Sequence, residues 1–258
     1  MEKKYSAPAV KKVLEILELM ARSGKNFTVS EISAQLDISV NSAFRIFKEL
    51  EEKDYVVKDP VDSSYELTPK IYYVGCSIKN NISFVKSAQP YMKEIRKYTG
   101  ETVLLTILDE NWGTMVVDQL ESKEPIKFLS TVGLAYDSYC SAMGKAMLAE
   151  LDQEALDEYI EKSNFVKKTG KTITDKKKFR EELEKVRKTK VAFDREENME
   201  GLSCIASAVF SGSGKLEGAI GISGLKFRMN GEKILEYAEF ISEKAKQFSA
   251  ALGYEEVK

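Results

Sequence analysis

Residues 28–57, TVSEISAQLDISVNSAFRIFKELEEKDYVV, decide how this chain begins to fold. Val29, Ile32 and Leu36 recur at helical spacing, Asp37-Ile38-Ser39 interrupts them, and Ala43, Ile46, Phe47 and Leu50 start a second apolar stripe. Ser39 stands where an N-cap belongs, because a hydroxyl there accepts from an otherwise unpaired N–H of the first helical turn. With positions 43, 46, 47 and 50 turned inward, Asn41, Arg45 and Lys48 fall on the opposite face, where donors meet base edges and phosphates. Upstream, Val10, Val13, Leu14, Leu17, Met20 and Ala21 stripe one face of a segment from Ala9 to Ala21, the first helix of a three-helix core. Downstream, Tyr55-Val56-Val57 and Tyr65-Glu66-Leu67 are short β-type runs around the polar turn of residues 58–64. Three helices closed by a hairpin make a winged helix-turn-helix.

The chain has 258 residues, beyond the roughly 100–150 of a typical domain, so two domains are expected. Net charge is only −2, which excludes a polycationic nucleic-acid coat but not sequence-specific DNA reading. Lys and Arg number 12 and Asp and Glu 12 among residues 1–80, so phosphate affinity must come from placement, and modest non-specific binding is expected. No apolar segment follows Met1-Glu2-Lys3-Lys4, and no apolar run approaches the ~18 residues of a membrane span. A soluble, cytoplasmic protein without membrane attachment is expected. Cys76, Cys140 and Cys204 form no CxxC pair and read as reduced thiols. Histidine is absent, which removes every Ser-His-Asp triad, Cys-His pair and HExxH site together.

After the wing, Ile71, Val74 and Ile78 keep helical spacing until Asn80-Asn81, giving a linker helix. Phe84, Ala88, Tyr91, Ile95 and Tyr98 stripe the next helix, which Gly100 ends; Pro90 inside it either kinks it or marks its first turn. The period then changes. Residues 102–108 and 114–117 are β-rich around the turn 109–113, and Ile126, Phe128 and Ser130 alternate with their neighbours as a third strand. Helices are expected over 141–151, over 152–162 and, capped by Asp175, to about Lys188; strands over 191–193, 203–210 and 216–223 precede a long C-terminal helix striped by Ile234, Ala238, Ile241, Ala245, Phe248 and Leu252. About six strands with helices between and beside them make an α+β domain.

Several motifs invite a chemical reading. Ser211 to Lys215, SGSGK, resembles the end of a phosphate loop, but Val209 and Leu216 replace the Gly and Ser/Thr that the full motif requires, so a hairpin turn is expected. Gly218, Gly221 and Gly224 are spaced at three, do not make GxGxxG, and mark close packing or ligand approach. Ser141 and Lys145 are one helical turn apart, a spacing that would set an amine beside a hydroxyl as in Ser-Lys hydrolases. The simpler assignment makes Ser141 a helix cap. Asp194, Glu196 and Glu197 read as paired carboxylates or as an acidic solvent edge, and without histidine no metal site or cofactor is expected. Residues 139–145, 194–197 and 201–206 join more usefully, since the first puts a small-residue helix N-terminus, suited to a carboxylate, beside aromatic side chains.

The segments SAPAVKKVLEILELMA, TVSEISAQLDISVNSAFRIFKELEEKDYV and SSYELTPKIYYVG, with GETV at 100–103, YCSAMGKA from Tyr139, AFDREEN at 192–198 and GISG at 221–224, resemble the IclR family of bacterial transcriptional regulators over nearly the whole chain. The resemblance implies a winged helix-turn-helix followed by a GAF-like domain that binds a small metabolite, often an organic acid, and alters operator binding by a dimer or a dimer of dimers. It implies a pocket lined by Ser141, Ala142, Met143, Asp194, Cys204, Gly221 and Ser223, with Phe128 and Tyr139 as apolar neighbours. Three positions depart from the pattern: Tyr139 stands where histidine is common, Gly221 where some members carry serine, and Val40 where a polar residue is frequent. The aromatic wall points to a larger or more apolar ligand.

The expectation is therefore an α+β, ligand-responsive DNA-binding regulator and not an enzyme. Residues 1–68 read DNA, 69–82 link, and 83–258 bind the effector and oligomerise. Asn41, Ser42 and Arg45 face bases in the major groove, and Lys48 and wing residue Lys58 contact phosphates of double-stranded operator DNA. A homodimer follows from the need for two half-sites. The rival is a Ser141/Lys145 hydrolase with an attached DNA-binding domain.

Overall fold

The computed structural model describes residues 7–79 and 83–255, without the side chains of 75–79 and 83. The chain divides into two compact units, Met1–Asn81 and Ile82–Lys258.

In the first unit, helices α1 (Pro8–Ser23), α2 (Val29–Gln35) and α3 (Val40–Glu52) precede strands β1 (Val56–Lys58) and β2 (Tyr65–Leu67) and helix α4 (Pro69–Lys79). Local chemistry sets each boundary. Pro8 lies in the first turn of α1, where a missing N–H costs nothing, and Gly24 ends it in the left-handed region at φ 61°, donating to the Met20 carbonyl. Thr28 and Glu31 form a reciprocal capping box on α2, with the Thr28 N–H 2.7 Å from Glu31 Oε2 and the Glu31 N–H 3.3 Å from Thr28 Oγ1. Asp37 takes φ 49° in the turn, the Ser33 hydroxyl donates to the Ile38 carbonyl at 2.6 Å, and Ser39 Oγ accepts the Ser42 N–H to start α3. The wing pairs Val56 with Leu67 and Lys58 with Tyr65 in antiparallel register, and Phe27 bridges Tyr65 on its other side.

One core holds this unit together: Ile16, Met20, Ile32, Ala43, Phe47, Leu50, Val56 and Tyr65 are all buried. The rings of Phe47 and Tyr65 stack with centroids 4.3 Å apart, tying α3 to the wing. The expected stripe on α1 needs correction. Ile16 and Met20 carry the core face with Val13, Leu17 and Leu19 beside them, whereas Val10 and Leu14 are about half exposed and Ala21 is exposed. A stripe read by period alone is wide enough to be rotated by one position, and here packing against the wing strand β2 selects the Ile16 side.

The second unit contains α5 (Ser83–Thr99), β3 (Thr102–Leu108), β4 (Thr114–Leu120), β5 (Ala135–Tyr136), a 3-10 turn (Ser138–Cys140), α6 (Ala142–Leu148), α7 (Gln153–Lys162), α8 (Lys176–Thr189), β6 (Ala192–Arg195), β7 (Leu202–Phe210), β8 (Leu216–Leu225) and α9 (Glu232–Ala251). The sheet is antiparallel in the order β5-β4-β3-β8-β7-β6. Strand alternation gives it two cores. Val103, Leu105, Ile205, Ile220 and Ile222 pack with α5 and α9, while Leu104, Val116, Ala206 and Ala219 pack with α6, α7 and α8.

Pro90 sits inside α5 with its ring exposed, so the helix runs from Ser83 through it; Tyr98, at the end of the expected stripe, is 45% exposed and stacks on Phe240. Residues 211–215 form the hairpin turn, closed by the Ser211 N–H to the Lys215 carbonyl at 2.9 Å. The third strand expected at 126–131 does not form, and β5 at Ala135–Tyr136 pairs with β4 instead. Side chains satisfy the 126–131 backbone: Thr102 Oγ1 donates to the Phe128 carbonyl, and the Ser130 and Thr131 N–H groups go to Gln119 Oε1 and the Tyr136 hydroxyl. The expected break at Asn80-Asn81 lies outside the described residues.

Candidate functional site

Within the second unit, the strand register brings distant residues around one cavity of about 40 Å³. Asp194 on β6 faces Cys204 on β7, and Cys204 faces Ser223 on β8. Phe128, Ser141 and Met143 close the cavity from the loop before β5 and from the start of α6. Six of the nine residues expected to bind an effector thus meet: Phe128, Ser141, Met143, Asp194, Cys204 and Ser223.

The other three are not in its lining. Tyr139 is almost fully buried, stacks on Phe165 at 4.8 Å and donates its hydroxyl to the Val166 carbonyl at 2.8 Å, so it is core and leaves the cavity without the expected aromatic wall on that side. Ala142, the first residue of α6, is wholly buried in the same core. Gly221 lies so close to β7 that a Cβ would run into the Ile205 carbonyl and Ala206, which makes close strand packing the reason for glycine there. The expectation also missed residues. Thr106, Thr114, Ser130 and Asn198 line the cavity. Thr106 follows from alternation with Leu104, and Asn198 from the AFDREEN segment itself, but only the pairing register sets Thr106 opposite Val116.

Electrostatics single out Asp194. Its Oδ1 accepts the Glu197 N–H at 2.7 Å and its Oδ2 lies 3.8 Å from the Cys204 sulfur, which is 3.1 Å from Ser223 Oγ. Burial pushes the Asp194 carboxyl up to about 6, against the hydrogen bond from Glu197, and burial likewise pushes the Cys204 thiol well up. Glu197 next door binds Lys145, whose Nζ lies 2.6 and 2.8 Å from its two oxygens, while Glu196 pairs with Lys171 and Lys226, which hold its carboxyl down at about 2. The three carboxylates therefore serve different partners, and among the described residues no three ligands gather for a metal.

The Ser-Lys hydrolase arrangement is not formed. Ser141 Oγ accepts the Gly144 N–H as the α6 cap, and the Lys145 ammonium is buried against Glu197, so neither group is disposed as nucleophile and base.

In the first unit, Asn41, Arg45 and Lys48 are exposed on α3, and Ser42 is half-buried. Lys48 is bound to Glu51 at 2.7 Å. Val40 and Phe44, 54% and 47% exposed, share that face, giving it an apolar component the sequence reading did not assign. Lys58 is exposed on the wing, its Nζ 5.9 Å from the Tyr65 ring centre.

Both units match described families. Residues 9–60 match the family described as the IclR helix-turn-helix domain, and residues 76–250 that described as bacterial transcriptional regulator IclR C-terminal. The chain is similar to the HTH-type transcriptional repressor AllR of Escherichia coli (strain K12), 30% identical over 247 residues, 96% of this chain and 91% of that protein. Among solved structures it is similar to the Thermotoga maritima IclR, with 33% identity, a TM-score of 0.77 and coverage of 96% of this chain and 99% of that one. An IclR homolog from Microbacterium hydrocarbonoxydans, solved with 4-hydroxybenzoate, shares the fold at a TM-score of 0.81 with 18% identity over 95% of this chain and 98% of that one.

Proposed function

The chain belongs to the IclR family of bacterial transcriptional regulators and is a ligand-responsive, DNA-binding regulator rather than an enzyme; from that premise we propose that a compact organic acid, held between Asp194, Cys204 and Ser223, sets its affinity for an operator. The observation that carries this reading is the size and lining of the cavity. At about 40 Å³ the cavity is small, which favours a short carboxylic acid over the larger, more apolar ligand expected from the sequence. Hydroxyls of Ser130, Ser141 and Ser223 offer donors, and an Asp194 that keeps its proton up to about pH 6 adds another. Phe128, Met143 and Leu104 enclose the carbon skeleton.

On the DNA side, we assign Asn41, Ser42 and Arg45 to base edges and Lys48 and Lys58 to phosphates. The exposure of Val40 and Phe44 on the same face supports added contact with thymine methyl groups. A cytoplasmic homodimer on a roughly palindromic operator, with pairing of dimers as the higher assembly, supplies the two half-sites. The Escherichia coli relative is named a repressor, and repression is the reading carried to this chain.

The test is a gel shift on the DNA upstream of the protein's own gene at one fixed salt concentration, with short carboxylic acids titrated in. At least one acid should change operator affinity for wild type and leave Ser223→Ala unchanged. Equal affinity with and without every acid at saturation, together with an unchanged melting temperature, would overturn the proposal.

A further inference from the structure

A second and larger cavity, about 420 Å³, lies elsewhere in the same unit, along the outer edge of β7. It exists because β6 is short. Strand β6 pairs only with Ser203–Ala206, so beyond Ala206 the outer edge of β7 has no neighbouring strand, and the Phe210 N–H is taken by Ser249 Oγ of α9 at 3.0 Å. The ends of α6 and α8 and one face of α9 wall the space.

Its chemistry differs from that of the first cavity. Ser207, 2% exposed, is one of its lining residues, and the buried Ser207 hydroxyl has no hydrogen-bond partner among the described residues. A buried hydroxyl is costly to leave unpaired, so this atom marks a position where a partner gains affinity by supplying a donor or acceptor. Small apolar side chains, Val186, Ala208 and Ala245, also line the cavity, as do the stacked rings of Phe210 and Tyr254, 5.1 Å apart. The charged wall residues are engaged: Lys190 binds both oxygens of Glu150 at 3.0 and 3.1 Å, and Lys246 also has a partner. No uncompensated charge calls for an ion.

We propose that this cavity is a second small-molecule site, taking a neutral aromatic compound with one hydroxyl or ring N–H that pairs with Ser207. Its volume falls in the range of small-ligand sites, roughly 300–1,000 Å³. The two cavities share scaffold: Cys204 and Ser207 lie three positions apart on β7, and Met143 and Ala146 on successive turns of α6.

The experiment uses the full-length protein and 4-fluorophenol, followed by fluorine NMR, with phenol and indole as competitors. Saturable broadening reversed by both competitors is expected. Ser207→Ala should weaken binding by roughly three- to tenfold, the worth of one hydrogen bond, and Ala250→Trp, which plugs the exposed rim without entering the core, should abolish it. Ser223→Ala, in the first cavity, should leave it unchanged, so failure of the acid site and failure of this one are distinguishable. Absence of saturable binding would overturn the proposal. So would binding that survives Ala250→Trp but is lost in Ser223→Ala, and so would a change in sedimentation mass with Ala250→Trp, which would make the groove a contact between copies.

Discussion

The Nζ of Lys145 lies 2.6 and 2.8 Å from the two carboxylate oxygens of Glu197, and both side chains are buried, at 0% and 6% exposure. This pair ties α6 to the segment that follows β6, and both contribute residues to the first cavity, Met143 and Asn198. Removing one partner leaves the other charge stranded, so Lys145→Ala should cost about 3–5 kcal/mol in urea denaturation. The double variant Lys145→Met, Glu197→Leu should recover much of that loss, because it strands no charge. Equal destabilisation by single and double variants would show that packing rather than charge is at stake.

Asp194 predicts a pH dependence, and its sign is fixed by the direction of its shift. The folded carboxyl titrates near 6, above its value in an unfolded chain, so the native state holds the extra proton between them. Stability is therefore highest below about pH 4 as far as this group is concerned and declines as pH rises through 6, by on the order of 3 kcal/mol. The chain contains no histidine, so no imidazole titration overlaps this window. Denaturation midpoints from pH 4 to 7 should fall for wild type relative to Asp194→Asn. Affinity for an anionic acid should weaken over the same range, because the ionised carboxylate repels it. Parallel curves for the two proteins would show that Asp194 ionises normally.

The recognition face predicts two different kinds of loss. Arg45→Ala should cost roughly 1–3 kcal/mol of specific binding and relax preference at one base position. Lys48→Ala should weaken all sequences alike and reduce the salt slope by about one. Because Lys48 is held by Glu51, Glu51→Gln should free it and tighten DNA binding. A gel shift across salt concentrations separates these outcomes, and a Glu51→Gln protein no tighter than wild type would remove Lys48 from the phosphate contacts.

What the sequence could disclose follows from the range of the interactions involved. Caps and turns are local, so Ser39, Asp175 and the 211–215 turn were legible from neighbouring residues, and the helix-turn-helix with them. The rotation of α1 was not, because Val10 and Ile16 are equally apolar and only packing chooses between their faces. The loop 126–131 alternates like a strand, yet its backbone partners are side chains of Thr102, Gln119 and Tyr136, which no short window contains. In the first cavity, Asp194, Cys204 and Ser223 were named through the family resemblance, while the contacts between them followed from the pairing of β6, β7 and β8, and Thr106 and Thr114 from the register of β3 on β4. The burial of Tyr139 against Phe165 was not legible, because burial in a core and exposure to a cavity leave the same apolar signature in sequence.

Tyr65 offers the last prediction, in the first unit. Its ring is wholly buried and stacks on Phe47, yet its hydroxyl, like that of neighbouring Ser64, has no hydrogen-bond partner among the described residues. The ring and the hydroxyl therefore contribute with opposite sign. Phe47→Ala should cost about 3–5 kcal/mol, because it removes a fully buried ring and leaves a cavity under the wing. Tyr65→Phe keeps the stack and deletes the unpaired group, so it should be neutral or stabilising by about 1 kcal/mol. Thermal unfolding followed by circular dichroism measures both. A Tyr65→Phe protein destabilised by as much as Phe47→Ala would mean that the hydroxyl has a partner, such as an ordered water, that anchors the wing to α3.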